Sequence, residues 1–185
     1  ITVVLIEEEP FLRSVLVDLI RHQPGYRVVL AAAPDVVAEE AKDLPAPRIT
    51  VVGVGEGPEA QLRSLRALTW AKEHWSASRM LAITCACGRD LLMRTAGLGV
   101  RGYIQRGTHS SADFLRALDD LVTDGHAIPT DVVFAIARLN EPTEDDRIDA
   151  ELTLMQKKVL DGICAPDNPT WGVVAKRLFK HPKTV

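Results

Sequence analysis

The chain has 185 residues, of which 46% are hydrophobic and 25% are charged, and its formal net charge is −3 at pH 7. This size and composition are typical of a globular protein with one or two domains, and they exclude disordered and fibrous classes. No apolar run approaches the roughly 20 residues that a membrane helix needs, and no signal-peptide pattern opens the chain. Three cysteines cannot form a paired disulfide framework and suit a reducing compartment. We therefore expect a cytoplasmic protein, and the lack of a long apolar run predicts no membrane segment.

The small net charge conceals a segregation of charge along the chain. Residues 152–185 carry six lysines and arginines against two aspartates, a net charge of +4. Residues 140–151 carry six acidic side chains against one arginine, a net charge of −5. A basic tail behind an acidic spacer indicates a module that binds a polyanion and is attached to a separate domain.

Apolar runs and helical patterns alternate along the chain before that spacer. Continuous runs rich in β-branched residues predict strands buried on both faces, and apolar residues at helical spacing predict the helices between them. The predicted elements in chain order are a strand at Ile1–Ile6, a helix at Phe11–Ile20, a strand at Tyr26–Ala32, a helix at Pro34–Leu44, a strand at Ile49–Val54, a helix at Pro58–Trp75, a strand at Arg79–Ala86, a helix from about Arg89 to Gly97, a strand at Gly102–Gln105, and a helix with Phe114–Val122 after a cap at Ser110 or Ser111.

Five strand–helix units in succession predict an α/β fold, a doubly wound five-stranded parallel sheet with helices on both faces. A short helix is predicted around Pro129–Leu139, which closes a first domain over residues 1–139. Residues 140–151, with almost no apolar content, form the predicted acidic linker. Residues 152–185 read as a second, small all-α domain. We expect its last helix to be cut off at Val185, and the natural chain to start before Ile1.

Both parts resemble a known family. Residues 152–185 are similar to the LuxR-type helix-turn-helix, and residues 1–139 resemble the flavodoxin-like receiver domain of NarL/FixJ-class response regulators. The segments that carry the resemblance are Leu152-Thr153, Val159-Leu160, Ala175-Lys176-Arg177-Leu178, Lys183-Thr184-Val185, Leu5-Ile6-Glu7-Glu8-Glu9-Pro10, Ile83-Thr84 and Gly102-Tyr103-Ile104-Gln105-Arg106. The resemblance implies a DNA-binding transcription regulator that acts as a dimer and has no catalytic activity.

The resemblance also implies where phosphate would be accepted. A receiver needs an aspartate at the end of its third strand, acidic residues after its first strand to hold Mg²⁺, a hydroxyl after its fourth strand and a lysine after its fifth. The corresponding positions here, together with the family's switch tyrosine, are Glu7, Glu8, Gly53, Thr84, Tyr103 and Arg106. Glycine has no side chain to phosphorylate, so the resemblance predicts a pseudo-receiver without a phosphoacceptor.

Two interpretations of this degenerate pocket stay open. In one, its polar residues are relics held in ordinary contacts. In the other, Arg106 reaches Glu7 or Glu8 through a two-pronged guanidinium–carboxylate pairing and neutralises the pocket permanently, holding Thr84 and Tyr103 in one state. A glycine at position 53 would also open volume for a small-molecule effector. Phosphorylation of an unrecognised carboxylate is a further alternative, for which Glu56, three residues further along the loop, is poorly placed.

Other motifs have ordinary explanations. Gly53–Gly57 places its third glycine one position early for a dinucleotide-binding loop and follows the wrong strand. Cys85 and Cys87 lack the further ligands that a metal site needs, and the five histidines show no metal-ligand spacing, so no cofactor is predicted.

The helix-turn-helix resemblance supplies the candidate DNA contacts. Phosphate or groove contacts are implied for Lys176, Arg177, Lys180, Lys183, Thr184 and Val185. The predicted partners are promoter DNA and a second copy of the chain, with the first and fifth helices as candidate dimer surface. The alternative is an interaction module that does not bind DNA.

Overall fold

The computed structural model describes residues 1–85, 88–129 and 132. The chain separates into a unit over Ile1–Arg138 and another over Leu139–Val185, and all the described residues belong to the first unit. The predicted helix at Pro129–Leu139 lies mostly outside the described residues, and the linker and the helix-turn-helix lie entirely outside them. These three assignments stay predictions.

Five strands and five helices alternate along the described chain. In order they are β1 (Thr2–Ile6), α1 (Pro10–Arg21), β2 (Arg27–Ala32), α2 (Val37–Glu40), β3 (Ile49–Val54), α3 (Pro58–His74), β4 (Arg79–Thr84), α4 (Arg89–Gly97), β5 (Val100–Gln105) and α5 (Ser111–Thr123). The strands form one parallel sheet in the order β2-β1-β3-β4-β5. The predicted α/β fold with a five-stranded parallel sheet is therefore confirmed.

The core explains why the strands read as continuous apolar runs. All six residues of β3 are buried, because both faces of this central strand are covered. On one face, Val3, Val51 and Ile83 of neighbouring strands pack in a cluster with Leu16 and Leu118 of α1 and α5. The apolar stripe predicted for α5 is buried, whereas on α1 only part of the predicted stripe is: Leu16 and Ile20 are buried, and Phe11 and Val15 are exposed.

The largest difference from the predicted elements is the second helix. It was expected over Pro34–Leu44 and covers four residues, Val37–Glu40. Turns occupy residues 34–36 and 41–43 on either side of it, and Pro45 disfavours a helical conformation for Leu44. The other boundaries differ by one or two residues, with β5 beginning at Val100 and β4 ending at Thr84.

Helix starts follow the sequence signals closely. Ser110 is the N-cap of α5 and forms a capping box: its side chain accepts from the Asp113 main-chain N–H, and the Asp113 carboxylate accepts from the Ser110 N–H. Pro58 begins α3, where its missing N–H needs no helical partner. No helix in the described part of the chain combines the length and the apolar content that crossing a membrane requires.

Candidate functional site

The carboxyl ends of β1, β3 and β5 bring three of the predicted site residues together. Glu7 follows β1, Gly53 is the fifth residue of β3, and Arg106 follows β5. Ile6 pairs with Val52 across β1 and β3, so Glu7 and Gly53 come next along two neighbouring strands. Parallel strands all end at the same edge of the sheet, which is where open α/β sheets usually place their sites.

The Glu7 carboxylate is the centre of this arrangement. Its Oε2 accepts a hydrogen bond from Arg106 Nη2 at 2.7 Å, and its Oε1 accepts from the Glu9 main-chain N–H at 2.9 Å. The Glu7 side chain is 3% exposed and that of Arg106 is 26% exposed. The predicted contact of Arg106 with a glutamate is thus present, and it neutralises a buried carboxylate. The expected two-pronged geometry is wrong, because the ion pair runs through one guanidinium nitrogen and Arg106 Nε is buried with no hydrogen-bond partner among the described residues.

Glu7 also fills the space beside Gly53. A Cβ placed on Gly53 would lie 1.8 Å from Glu7 Oε2 and 3.2 Å from Arg106 Nη2. Non-bonded atoms do not approach this closely, so no side chain fits at position 53 while Glu7 stays where it is. The expectation that glycine opens volume at this position is therefore wrong: the glutamate carboxylate already occupies it.

Glu8 has a different partner. Arg63, in the second turn of α3, forms an ion pair with the Glu8 carboxylate and lies 3.8 Å from Asp35. The hydrogen bond to Glu8 raises the pKa of Arg63 above its usual range. Adjacent Glu7 and Glu8 are thus bound by arginines from two different elements, and they do not act as a pair.

This arrangement does not fit the divalent cation that receivers hold. A Mg²⁺ site needs carboxylate oxygens that converge on one point. Both Glu7 oxygens accept protein hydrogen bonds, Glu8 is paired with Arg63, and Gly53 supplies no ligand. In the described ranges, no group of three or more His, Cys, Asp or Glu side chains is placed to hold a metal ion.

Thr84 and Tyr103 lie deeper in the same edge of the sheet. Thr84 ends β4 with 3% exposure, and its carbonyl oxygen accepts from the Arg106 main-chain N–H at 2.8 Å. Tyr103 is 2% exposed, and its hydroxyl lies 3.0 Å from Thr95 Oγ1 on α4. The Tyr103 N–H donates to Ala127 O, which joins the segment after α5 to the outer edge of β5.

An open cavity of about 390 Å³ lies beside the Glu7–Arg106 pair. It is lined by Glu7, Glu8, Glu9, Gly55, Glu56, Ala60, Cys85 and Arg106. Burial and the hydrogen bond with Glu56 both raise the pKa of the Cys85 thiol, so it favours the neutral form. Cys85 is a free, half-buried cysteine, and Cys87 lies outside the described residues.

The glycine-rich loop after β3 has a packing explanation. A Cβ on Gly55 would lie 2.6 Å from the Cβ of Ala60, so this glycine permits close contact with the first turns of α3. Ser64 on α3 donates to Gly53 O at 3.0 Å and accepts from the Gly55 N–H at 3.3 Å. These contacts fix the loop against the helix.

Sequence reasoning missed three residues that shape the site. Arg63 and Ser64 belong to α3, and Arg13 on α1 donates to Glu7 O at 2.7 Å. Ser64 carried a usable signal, because it is a polar residue on the apolar stripe of α3 beside Leu65 and Leu68. The arginines carried none, since arginine on a helix surface is common. The predicted DNA contacts, from Lys176 to Val185, lie outside the described residues and stay predictions.

Comparison with known proteins supports the fold. No protein-family model and no curated protein matches the chain. Among solved structures, it is similar to a LuxR-family two-component response regulator from Aurantimonas sp. SI85-9A1, with 22% identity, a TM-score of 0.62, and 74% of this chain and 95% of that one covered.

Two structures of the response regulator RcsB are also similar to this chain. The isolated receiver domain from Salmonella enterica serovar Typhimurium, determined with the phosphomimetic BeF₃⁻, is 15% identical, with a TM-score of 0.60 and coverage of 76% of this chain and 98% of that one. The RcsB–DNA complex is 16% identical, with a TM-score of 0.60 and coverage of 99% and 85%. Likeness at these identities shows that the chain has a receiver-like fold.

Proposed function

We propose that this protein is a DNA-binding transcription regulator whose receiver-like domain works without phosphorylation at the end of β3. The observation that carries the proposal is the position of the Glu7 carboxylate, which lies against Gly53 where the phosphoacceptor side chain would project. The receiver-like fold and the basic segment at residues 152–185 support the regulator assignment. Control of such a protein would come from dimerisation, a bound effector or its cellular abundance.

The DNA-binding part of the proposal is tested with the natural full-length protein. Genomic fragments retained by the protein would be identified by sequencing, and the selected promoter DNA titrated at two salt concentrations. We expect binding that weakens as salt rises, because lysine and arginine contacts release counterions from the DNA. Replacing Lys176 and Arg177 with alanine should weaken binding and lower the salt dependence, whereas replacing the linker residue Arg147 should leave both nearly unchanged. Absence of salt-dependent binding would leave the interaction-module alternative.

The phosphate-independent part is tested by mass. The protein is incubated with acetyl phosphate and Mg²⁺, and its intact mass is then measured. We expect no added phosphoryl group, since residue 53 has no carboxylate and the carboxylates of Glu7 and Glu8 are bound by arginines. This measurement detects phosphorylation of any carboxylate, including Glu56. Stoichiometric uptake would therefore favour the alternative of an unrecognised phosphoacceptor.

We also propose that the protein forms a homodimer through α1. Phe11 and Val15 lie one turn apart on this helix and are 76% and 45% exposed, so they form an apolar patch on its outer side. Replacing both with serine should shift the sedimentation equilibrium of the protein towards the monomer. Leu62 on α3, which is 44% exposed, is the matched control, because its replacement by serine removes an apolar side chain elsewhere. Equal behaviour of the two variants would place any dimer surface outside α1.

A further inference from the structure

The Glu7 carboxylate leaves no room for a residue larger than glycine at position 53. The 1.8 Å separation between Glu7 Oε2 and the Cβ position of Gly53 is about half of an ordinary contact distance. A second group lies in the same direction, since Arg106 Nη2 would be 3.2 Å from that Cβ. Both charged groups therefore occupy the volume into which a side chain on residue 53 would project.

Four hydrogen bonds hold Glu7 in this position, two at its carboxylate and two at its main chain. Arg106 donates to Oε2, and the Glu9 N–H donates to Oε1. The main chain is fixed as well, because Arg13 donates to Glu7 O and the Glu7 N–H donates to Ala32 O at 3.0 Å. Moving the carboxylate away from Gly53 would break its contacts with Arg106 and Glu9 and leave a buried charge unpaired, which is costly.

We propose that the Glu7–Arg106 pair is a built-in occupant of the phosphoacceptor position, and that Gly53 is a steric requirement of this pair. The inference rests on the proposed function only in treating this edge of the sheet as the position where receivers accept phosphate. The absence of an acceptor side chain at position 53 and the presence of arginine at position 106 are then coupled, because both depend on where the Glu7 carboxylate lies. The site is closed by three residues that depend on one another.

Restoring a phosphoacceptor to this site requires changes at more than one position. Gly53→Asp alone does not recreate a receiver site, because the introduced carboxylate meets both Glu7 and Arg106. Reversal also requires a shorter acid at position 7 and lysine at position 106, as in the triple variant Glu7→Asp, Gly53→Asp, Arg106→Lys. In that variant, a carboxylate oxygen at position 53 would attack the phosphorus of acetyl phosphate, the bond between phosphorus and the acetyl oxygen would break, and acetate would leave.

The steric requirement is tested by thermal unfolding. Gly53→Ala should lower the midpoint by several degrees, because the added methyl group meets the Glu7 carboxylate. In a Glu7→Ala background, the same substitution should shift the midpoint by less than half as much. Gly97→Ala is the matched control, because a methyl group there meets no heavy atom within 4 Å.

A second background protects this test against a variant that does not fold. In Arg106→Lys, the guanidinium that holds Glu7 is removed and the carboxylate can turn away, so Gly53→Ala should again cost less than in the natural protein. Equal cost of Gly53→Ala in all backgrounds, or a cost no larger than that of Gly97→Ala, would overturn the proposal.

The reversal is tested by incubating four proteins with acetyl phosphate and Mg²⁺ and measuring intact mass. We expect one added phosphoryl group in the triple variant and none in the natural protein, in Gly53→Asp, or in the double variant Glu7→Asp, Arg106→Lys, which lacks the acceptor. Uptake by Gly53→Asp to the same extent as by the triple variant would show that the pair does not close the site. Neither test uses DNA, so failure of the proposed regulator function would leave their outcomes unaffected.

Discussion

Arg63 binds Glu8 across the edge of the sheet, from the second turn of α3 to the segment between β1 and α1. Arg106, which follows β5, forms the corresponding ion pair with the adjacent Glu7. Each of these two neighbouring glutamates thus has its own arginine partner, from a different part of the chain. In this arrangement the two carboxylates do not converge on one point, which a divalent cation requires of its ligands.

The two ion pairs should contribute unequally to stability. Arg106→Met leaves the buried Glu7 carboxylate without its cationic partner, and we expect a loss of about 3 kcal/mol in the free energy of unfolding. Arg63→Met should cost much less, because Glu8 is 40% exposed and water can replace the arginine. Urea denaturation of both variants measures the difference. Equal losses would show that the buried Glu7–Arg106 ion pair stabilises the fold no more than the exposed Glu8–Arg63 pair does.

The buried contact between Thr95 and Tyr103 should stabilise the packing of α4 against β5. Thr95→Val keeps the side-chain shape but removes the hydroxyl that lies 3.0 Å from Tyr103 Oη, at an expected cost of about 1–2 kcal/mol. Thr69→Val is the control: both threonines donate to a carbonyl oxygen one turn earlier, Thr95 to Leu91 O and Thr69 to Leu65 O, but Thr69 is exposed. Urea denaturation should show a clearly smaller loss for the control.

The surroundings of Tyr26 predict that the protein loses stability in alkaline solution. Burial, followed by the 2.6 Å hydrogen bond to Asp119 on α5, raises the pKa of Tyr26 well above its usual value of 10. In the unfolded chain this phenol ionises near pH 10, whereas in the folded protein it resists ionisation. Its contribution is therefore fully present below about pH 10 and is lost as the pH rises above that value.

Tyr26→Phe isolates this contribution. Urea denaturation at about pH 8 and about pH 11 should show a smaller alkaline loss in the variant than in the natural protein. At the lower pH, the variant should be less stable by about 1 kcal/mol, because it lacks the hydrogen bond to Asp119. An identical pH dependence in both proteins would contradict the assignment.

The capping box of α5 predicts a sensitivity to acid. Hydrogen bonds from the Ser110 side chain and main-chain N–H hold the pKa of Asp113 below its usual value of 3.8. A carboxyl group with a lowered pKa in the folded protein stabilises it at neutral pH, and this contribution is lost as the pH falls through the acid range.

Ser110→Ala should therefore cost about 1 kcal/mol at neutral pH and less in acid. Ser111→Ala, one residue further along, is the control and should change stability little, because Ser110 is the residue that caps the helix. Thermal unfolding at neutral pH and at about pH 3 measures both effects. A cost for Ser110→Ala that does not change with pH would rule out the contribution of Asp113.

Much of the fold was predictable because its signals are local. The run Ile49–Val54 indicates a strand buried on both faces, the apolar spacing from Phe11 to Ile20 indicates one face of a helix, and a serine before Phe114 indicates a cap. Each signal depends on residues within a few positions of one another. The second helix was the exception, since turns on both sides of it limit it to four residues.

The candidate site was predictable in its positions and not in its contacts. That Glu7, Gly53 and Arg106 would share one edge follows from the resemblance and from the parallel order of the strands. Arg63 as the partner of Glu8 could not be foreseen, because no local pattern distinguishes one helix arginine from another. Glycine was expected to leave space, and the neighbouring carboxylate fills it.

The amino-acid sequence by itself determined the strand–helix alternation, the absence of a carboxylate at position 53 and the charge contrast between the linker and the tail. Only the tertiary structure decided which arginine neutralises which glutamate and where the Glu7 carboxylate lies. The physical reason is that side-chain pairing across the edge of a sheet joins residues almost 100 positions apart, and it depends on distances of a few ångströms that appear only when the strands are assembled.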